Sequence, residues 1–385
     1  MKRVLIFSLA YYPSFVSGAE AAIKEITDRI APEDIEFHMV THRFDREAAR
    51  EEKIGNVTVH RVGFGGAYLS KILFVPLAAL KARSLDKQLH FDALWAMMTY
   101  MLMPVVVVRM FGVRAPHVLT LQDGDPYEKV FERWFIRPVT PLLDYGFRTA
   151  AVIQVISKYL ATWPVRRGYR GEVVLVKNGA NPNDLEQAFS QMEIDKTKKE
   201  LGKKEGDIFL VNTSRLVHQK GIDTIIEALQ YLPENVRFIA VGAGGDEEKL
   251  KELAKRLKLT DRVVFTDRVD RSVVTLYRKA SDIFVAPSRS EGLGNAFVSA
   301  LASKLPLVTS GVGGIADYAV DGETAWIVPP DDPKALAEKI KEVIANPDKA
   351  REISERARTM VERDYDWDKI AVQMREKVFE RAFGV

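Results

Sequence analysis

Short apolar runs alternate along this chain with longer stretches in which apolar positions recur every three or four residues. The first rhythm predicts buried strands and the second predicts helices packed over them. In the first half the predicted strands are residues 4–9, 37–41, 57–62, 93–97, 118–121 and 152–156, with a helix over 18–31. In the second half they are 208–213, 236–241, 263–266, 283–286 and 307–309. Predicted helices there cover 219–232, 246–258, 271–280 and 295–304, followed by 333–345, 348–363 and 368–383. The alternation implies an α/β chain with parallel sheets covered by helices.

The same plan is met twice, which suits a length of 385 residues, too long for one core to be the natural expectation. Residues 178–206 are polar, rich in Lys, Asp and Asn, with Gly179 and Pro182, and read as an exposed linker. The expected domains are therefore 1–180 and 181–367, with a final helix over 368–385 packing back on the first. Ligands of open α/β sheets bind beyond the carboxyl ends of the strands, so two such domains would enclose a cleft.

Composition narrows the chemistry. A hydrophobic fraction of 47% with 28% charge excludes global disorder. The absence of cysteine removes disulfides, thiolate nucleophiles and zinc–thiolate sites together. A net charge of +3 is too small to argue for nucleic acid. Residues 1–190 carry 24 Lys and Arg against 20 Asp and Glu, so the front half is slightly basic. Residues 1–10 form a short apolar run ended by Tyr11, Tyr12 and Pro13, which fits a buried first strand better than a signal peptide. No run of about 18 apolar residues exists, and a cytoplasmic protein is expected. The six histidines are not expected to bind zinc, and G-x-S-x-G and the P-loop pattern are absent.

Four strand-to-helix transitions carry candidate chemistry. The richest runs from Ala286 to Ala302, where Gly292 and Gly294 admit close backbone approach and a helix near Asn295 offers free N–H groups to an anion. Glu291 adds an acceptor for sugar hydroxyls; the bland alternative is a tight turn with a solvated carboxylate. After residue 213, Arg215 and Lys220 precede Gly221 and a helix, a placement suited to a diphosphate, or else two surface charges. The stretch from Tyr12 to Glu20 lacks G-x-G-x-x-G, although Gly18 at a helix start could touch a phosphate. Asp123 and Asp125 form a D-x-D pair in which the intervening Gly124 more simply marks a turn, and no metal is expected. Gln122, at the strand end, is expected to point into the cleft.

Together these residues resemble glycosyltransferase family four, a retaining family with the GT-B fold of two Rossmann-like domains. The likeness covers nearly the whole chain. The family's Glu-Gly-Phe-Gly start of its E-x7-E motif matches Glu291-Gly-Leu-Gly294. Its Gly-Arg-Leu…Lys-Gly matches Ser214-Arg-Leu…Lys220-Gly, and its Asn-Gly matches Asn178-Gly179. Its Gly-Gly-Ile/Val-x-Glu matches Gly313-Gly-Ile-Ala-Asp317, and its front loop matches Ser17-Gly18. The resemblance implies that Arg215 and Lys220 hold the donor diphosphate and that Glu291 hydrogen-bonds the sugar. It implies that backbone at Gly292, Leu293, Gly294 and Asn295 cradles the donor, with Ser214, Gly18 and Asn178 nearby and the base near Arg268 and Val269. It also implies a UDP-sugar or GDP-sugar donor, a glycan or lipid-linked acceptor, and no cofactor or metal.

Three departures stand out. The second motif glutamate, which grips the ribose, falls on Ser299. A common histidine falls on Gln122, which can donate a hydrogen bond but cannot act as a base. Glycines of the phosphate loops fall on Ser214 and Ser17. A different enzyme on the same scaffold, such as an epimerase or phosphorylase, and a non-catalytic nucleotide-sugar binder are the alternative readings. The segments 69–83 and 131–137 mix apolar and basic residues and either pack on the sheet or dock on an anionic membrane; Pro76 argues against one unbroken amphipathic helix in the first.

Overall fold

The computed structural model describes residues 1–13, 17–66, 68–185, 189–270 and 273–384. The chain forms two compact units: residues 1–178 with 367–385, and residues 179–366.

Unit one holds eight strands: β1 (Lys2–Phe7), β2 (Ile35–His42), β3 (Glu51–Ile54), β4 (Val57–Val62), β5 (Ala93–Met97), β6 (His117–Leu121), β7 (Val152–Val155) and β8 (Val173–Leu175). Their order is β3-β4-β2-β1-β5-β6-β7-β8, all parallel except the β3–β4 hairpin. Strands β1, β5, β6 and β7 are buried along nearly their whole length, which is why they read as mainly apolar runs. The polar residues they bury, His117, Thr120 and Gln154, are each hydrogen-bonded. Strand β1 starts two residues earlier than the apolar run suggests. Lys2 and Arg3 are tolerated at the start of this strand because their charges pair with Asp92 (2.8 Å) and Glu36 (2.7 Å). Strand β3 escaped the apolar reading altogether: it is a charged edge strand, a composition that discourages pairing with other chains.

The closing residues of the chain belong to this unit. Phe379 stacks edge-on against Trp95 (5.1 Å) and Phe37 (5.8 Å), and Trp367, Ile370, Met374 and Val378 are buried in the same core. The segment 69–83 is not one unbroken helix: it falls in the helices Tyr68–Ile72 and Phe74–Leu89, and Pro76 lies in the first turn of the second, where its missing N–H is no loss.

Unit two holds β9 (Ile208–Thr213), β10 (Val236–Val241), β11 (Val263–Phe265), β12 (Ile283–Ala286), β13 (Leu307–Ser310) and β14 (Trp326–Val328) in the order β11-β10-β9-β12-β13-β14, all parallel. The sequence reading missed only β14, three residues long. The predicted helix over 271–280 is found as Val274–Lys279, with residues 271 and 272 outside the described set. Of the stretch read as an exposed linker, the start is built in, with Asn178, Asn181 and Asp184 buried, while most of the helix Gln191–Glu200 is exposed as expected. Asp184 is fully buried, and a capping box of Ser190 and Glu193 starts the helix Gln191–Glu200. Residues 186–188 of that stretch lie outside the described residues. Among the described residues, no helix is long and apolar enough to cross a membrane.

Strand order reverses direction between β9 and β12 in unit two, and between β1 and β5 in unit one. At such a point the loops leaving adjacent strands diverge to opposite faces and open a crevice beyond the carboxyl ends.

Candidate donor site and its relatives

In unit two the loops that flank the switch point are those after β9 and β12, and they contain the candidate residues Ser214, Arg215, Lys220 and 291–295. Gly221 ends the short turn His218–Lys220 at φ 66°, and a Cβ there would stand 2.2 Å from the carbonyl oxygen of Pro287. Only glycine lets the two loops approach this closely. Arg289 braces the same junction with a bidentate pair to Asp223 (2.9 and 2.8 Å) and a bond to Asp331 (2.6 Å).

The two cations differ in state. Arg215 is exposed, and its guanidinium has no partner among the described residues. Lys220 is largely buried, and its Nζ lies 2.5 Å from Oε1 of Glu291, which is 6% exposed. Ser288 Oγ donates to the same carboxylate oxygen at 3.2 Å. Glu291 is therefore not the solvated turn carboxylate of the bland alternative; it is buried, charge-paired and hydrogen-bonded. Its backbone oxygen accepts the Gly314 N–H at 3.0 Å, and a Cβ on Gly313 (φ 57°) would collide with that oxygen.

Gly292 and Leu293 are buried, and Gly294 caps the helix Asn295–Ala302. The Tyr318 hydroxyl donates to the Leu293 carbonyl at 2.9 Å, and burial pushes that phenol well above its ordinary range. The amides of Leu293 and Gly294 have no partner among the described residues, so this helix start presents donors where an anion would be stabilised. Asn295 is half-buried at its first position.

Two serines that replace family residues are occupied. Ser214 Oγ donates to Asn212 Oδ1 at 2.5 Å, so the hydroxyl folds back on β9. Ser299, 5% exposed, accepts the backbone N–H of Asn181 at 3.0 Å. Its side chain ties the start of unit two to the helix that follows the Glu291 loop. Arg268 is exposed and Val269 half-buried beyond β11, next to the β10 exit, where Gly242 N–H reaches the Asp267 carbonyl at 3.1 Å.

Unit one positions the remaining candidates. Gly18 opens the helix Gly18–Thr27, and Ser17 and Glu20 cap it reciprocally, which occupies the Ser17 hydroxyl. Ser14, Phe15 and Val16 of that loop lie outside the described residues. Gln122 and Asn178 form a two-bonded amide pair: Asn178 Nδ2 donates to Gln122 Oε1 at 2.8 Å, and Gln122 Nε2 returns a bond at 3.3 Å. Each side chain therefore fixes the other.

The D-x-D pair diverges. Asp123 turns inward to the N–H and hydroxyl of Thr99 (3.4 and 3.0 Å), and burial pushes its carboxyl up to about 6. Asp125 turns outward to Lys129 at 2.6 Å. His38 and His42 share the four-residue spacing of paired helical zinc ligands but lie on β2, where the rise of about 3.3 Å per residue separates them. His38 contacts His60 at 3.1 Å, and His42 contacts Ser70 at 2.8 Å. Among the described residues, no group of three or more His, Cys, Asp or Glu is placed to hold a metal.

What sequence reasoning missed is the buried support. Asp184 and Arg278, fully buried, form a bidentate pair of 3.0 and 2.5 Å. The two residues are 94 positions apart, and no local pattern announces them.

Known proteins resemble this chain in sequence and in fold. The family model for glycosyl transferases group 1 matches residues 193–360, and that for glycosyltransferase family 4 matches residues 16–184. An uncharacterised glycosyltransferase of Methanocaldococcus jannaschii is 25% identical over 385 residues, spanning 98% of each chain. A sucrose-phosphate synthase from Thermosynechococcus elongatus superposes with a TM-score of 0.88 over 100% of both chains at 19% identity. The Anabaena protein HepE, solved in complex with UDP-glucose, gives a TM-score of 0.80 at 21% identity, covering 99% of this chain and 100% of that one. Both superpositions establish the fold.

Proposed function

We infer that this chain, which belongs to glycosyltransferase family four and has the GT-B fold, is a retaining, metal-independent enzyme that moves a hexose-type sugar from a UDP- or GDP-sugar to a glycan or lipid-linked acceptor. The observation that carries this reading is an unpartnered arginine at the β9–β12 switch point, beside a buried Lys–Glu pair and an open helix start. A sugar diphosphate needs those three partners. The Arg215 fork suits a phosphate, Lys220 adds a second positive charge, and the amides of Leu293 and Gly294 meet the remaining oxygens. The UDP-glucose complex of the structurally similar HepE supports a donor of this class.

Charge grows on the diphosphate as its bond to the sugar breaks, so the same groups act more strongly on the transition state than on the bound donor. In the retaining step, the acceptor hydroxyl oxygen bonds to the anomeric carbon on the face from which the diphosphate departs. The carbon–oxygen bond to the diphosphate breaks with its electron pair going to phosphate. A phosphate oxygen takes the hydroxyl proton, so no side-chain base is required. Glu291, held by Lys220 and Ser288, accepts from sugar hydroxyls, and Gln122, fixed by Asn178, donates to a sugar oxygen. Arg268 and Val269 flank the base. Ser299 leaves the ribose without a carboxylate, which weakens the donor by about 1–3 kcal/mol relative to a charge-assisted contact.

The direct test is a thermal-shift screen over nucleotide sugars in excess chelator. A cognate donor at 100 times its Kd is expected to stabilise the fold by about 2.7 kcal/mol. No shift with any UDP- or GDP-sugar, or a shift that needs a divalent ion, would refute the reading.

The acceptor side includes an anionic membrane surface. Leu69, Ile72, Leu80, Trp134 and Phe135 are exposed, Trp134 at 81%, and Lys71, Arg83, Arg133 and Arg137 lie among them in sequence. Apolar insertion combined with basic side chains is the chemistry of interfacial binding. The chain is expected to sediment with vesicles containing phosphatidylserine, and Leu80→Glu with Trp134→Glu is expected to release it. Equal sedimentation of wild type and double variant would remove this part of the proposal.

A further inference from the structure

The exit of β9 is held from both faces of its sheet. Successive strand residues point to opposite faces. Asn212, on one face, donates to the Val285 carbonyl of β12 at 2.8 Å and receives Ser214 Oγ. Thr213 is the last residue of β9, and its Oγ1 receives a bond from Arg278 Nη1 at 3.1 Å. Arg215 follows two residues later, so its backbone leaves from a point fixed by these two bonds.

Arg278 is unusual as a hydrogen-bond donor because its own orientation cannot drift. Nε and Nη2 are committed to the two oxygens of Asp184, and the planar fork then dictates where Nη1 points. Asp184 is fixed in turn: Ser303 Oγ donates to its Oδ1 at 2.7 Å, and Arg358 donates to its carbonyl at 2.9 Å and to that of Leu185 at 2.6 Å. Arg358 also bonds the carbonyl of Ala302, the last residue of the helix that begins at Asn295. One buried network thus reaches both the β9 exit and the far end of the anion-facing helix.

We propose that Arg278 is a positioning residue for donor binding: through Thr213 it sets the angle at which Arg215 leaves β9, and so the register of the guanidinium on the donor diphosphate. The proposal rests on the donor reading above. Orientation errors of about 1 Å at a charged contact are enough to weaken it severely.

The test uses calorimetric binding of UDP and of GDP to the full chain, taking whichever binds. Thr213→Val keeps the branched shape and deletes only the acceptor for Arg278; it is expected to weaken binding about 5- to 10-fold, the effect of roughly one hydrogen bond. Thr213→Ser, which restores the oxygen, is expected to bind within about twofold of wild type. If the valine variant does not fold, Thr213→Ala makes the same deletion. In an Arg215→Ala background the Thr213 change is expected to cost nothing further, because the effect passes through the arginine. Wild-type affinity in Thr213→Val, failure of serine to restore it, or a penalty that persists undiminished without Arg215 would each overturn the proposal. If neither UDP nor GDP binds wild type, the donor reading itself falls and takes this inference with it. If wild type binds and the valine variant binds equally, only this inference falls.

Discussion

Arg215→Ala is expected to lower kcat/KM for sugar transfer by about 10²- to 10³-fold while leaving the melting temperature nearly unchanged. The two halves of that expectation come from one fact. The guanidinium is exposed and has no hydrogen-bond or ion-pair partner among the described residues, so the folded chain loses no polar contact when it is removed. Its contribution arises only when a diphosphate is present, and most strongly as the leaving group gains charge. Arg215→Lys is expected to recover little, because an ammonium cannot make the paired, planar contact of the fork. Steady-state kinetics with the donor found by thermal shift, alongside melting curves, checks both. Turnover of Arg215→Ala within about threefold of wild type would remove the central residue from the proposed mechanism.

Asp184→Asn is expected to have the opposite profile, a large loss of stability. Removing one partner strands the Arg278 charge in a site that is 2% exposed, a change that typically costs about 3–5 kcal/mol. For a unit of this size that corresponds to a fall in melting temperature on the order of 10 °C or more. The exposed pair Lys304–Glu355, a single contact at 2.8 Å and half open to solvent, is expected to cost far less when broken. Replacing both buried partners, as Asp184→Leu with Arg278→Met, is expected to recover much of the loss, because no unpaired charge then remains. Scanning calorimetry of the three variants decides it. A melting point for Asp184→Asn within about 2 °C of wild type would show that water or a neighbouring group neutralises the stranded arginine.

The strands that were legible in the sequence are those buried along most of their length, because burial on both sides favours apolar residues at most positions. Strands β1, β5, β7, β9 and β12 show this. Strand β3 was not legible, since an edge needs charge rather than burial. The segment after Asn178 misled for a complementary reason. Its polar residues suggested solvent, yet Asp184 and Asn181 are buried because distant partners satisfy them. At the candidate site, glycines and charges at strand ends marked the loops that the fold places at the β9–β12 switch point. What those side chains do with each other depended on neighbours far along the chain. Lys220 meets Glu291 across 71 positions, Ser299 meets Asn181 across 118, and Gln122 meets Asn178 across 56. Periodicity carries no information about such pairs, and the two serines that replace family residues could be understood only once their hydroxyls were seen to be taken.

The return of the last residues to unit one has a practical consequence for dissecting the protein. Residues 179–366 are one uninterrupted stretch and can be excised with a single start and a single stop. The other half cannot, because Trp95 and Phe37 rely on Phe379 for part of their covering. A fragment ending at Asn178 would leave that apolar surface bare to water and prone to self-association. Chimeras that exchange unit one between relatives must therefore transplant two separate pieces, the long amino-terminal one and the short carboxyl-terminal one, as a matched set.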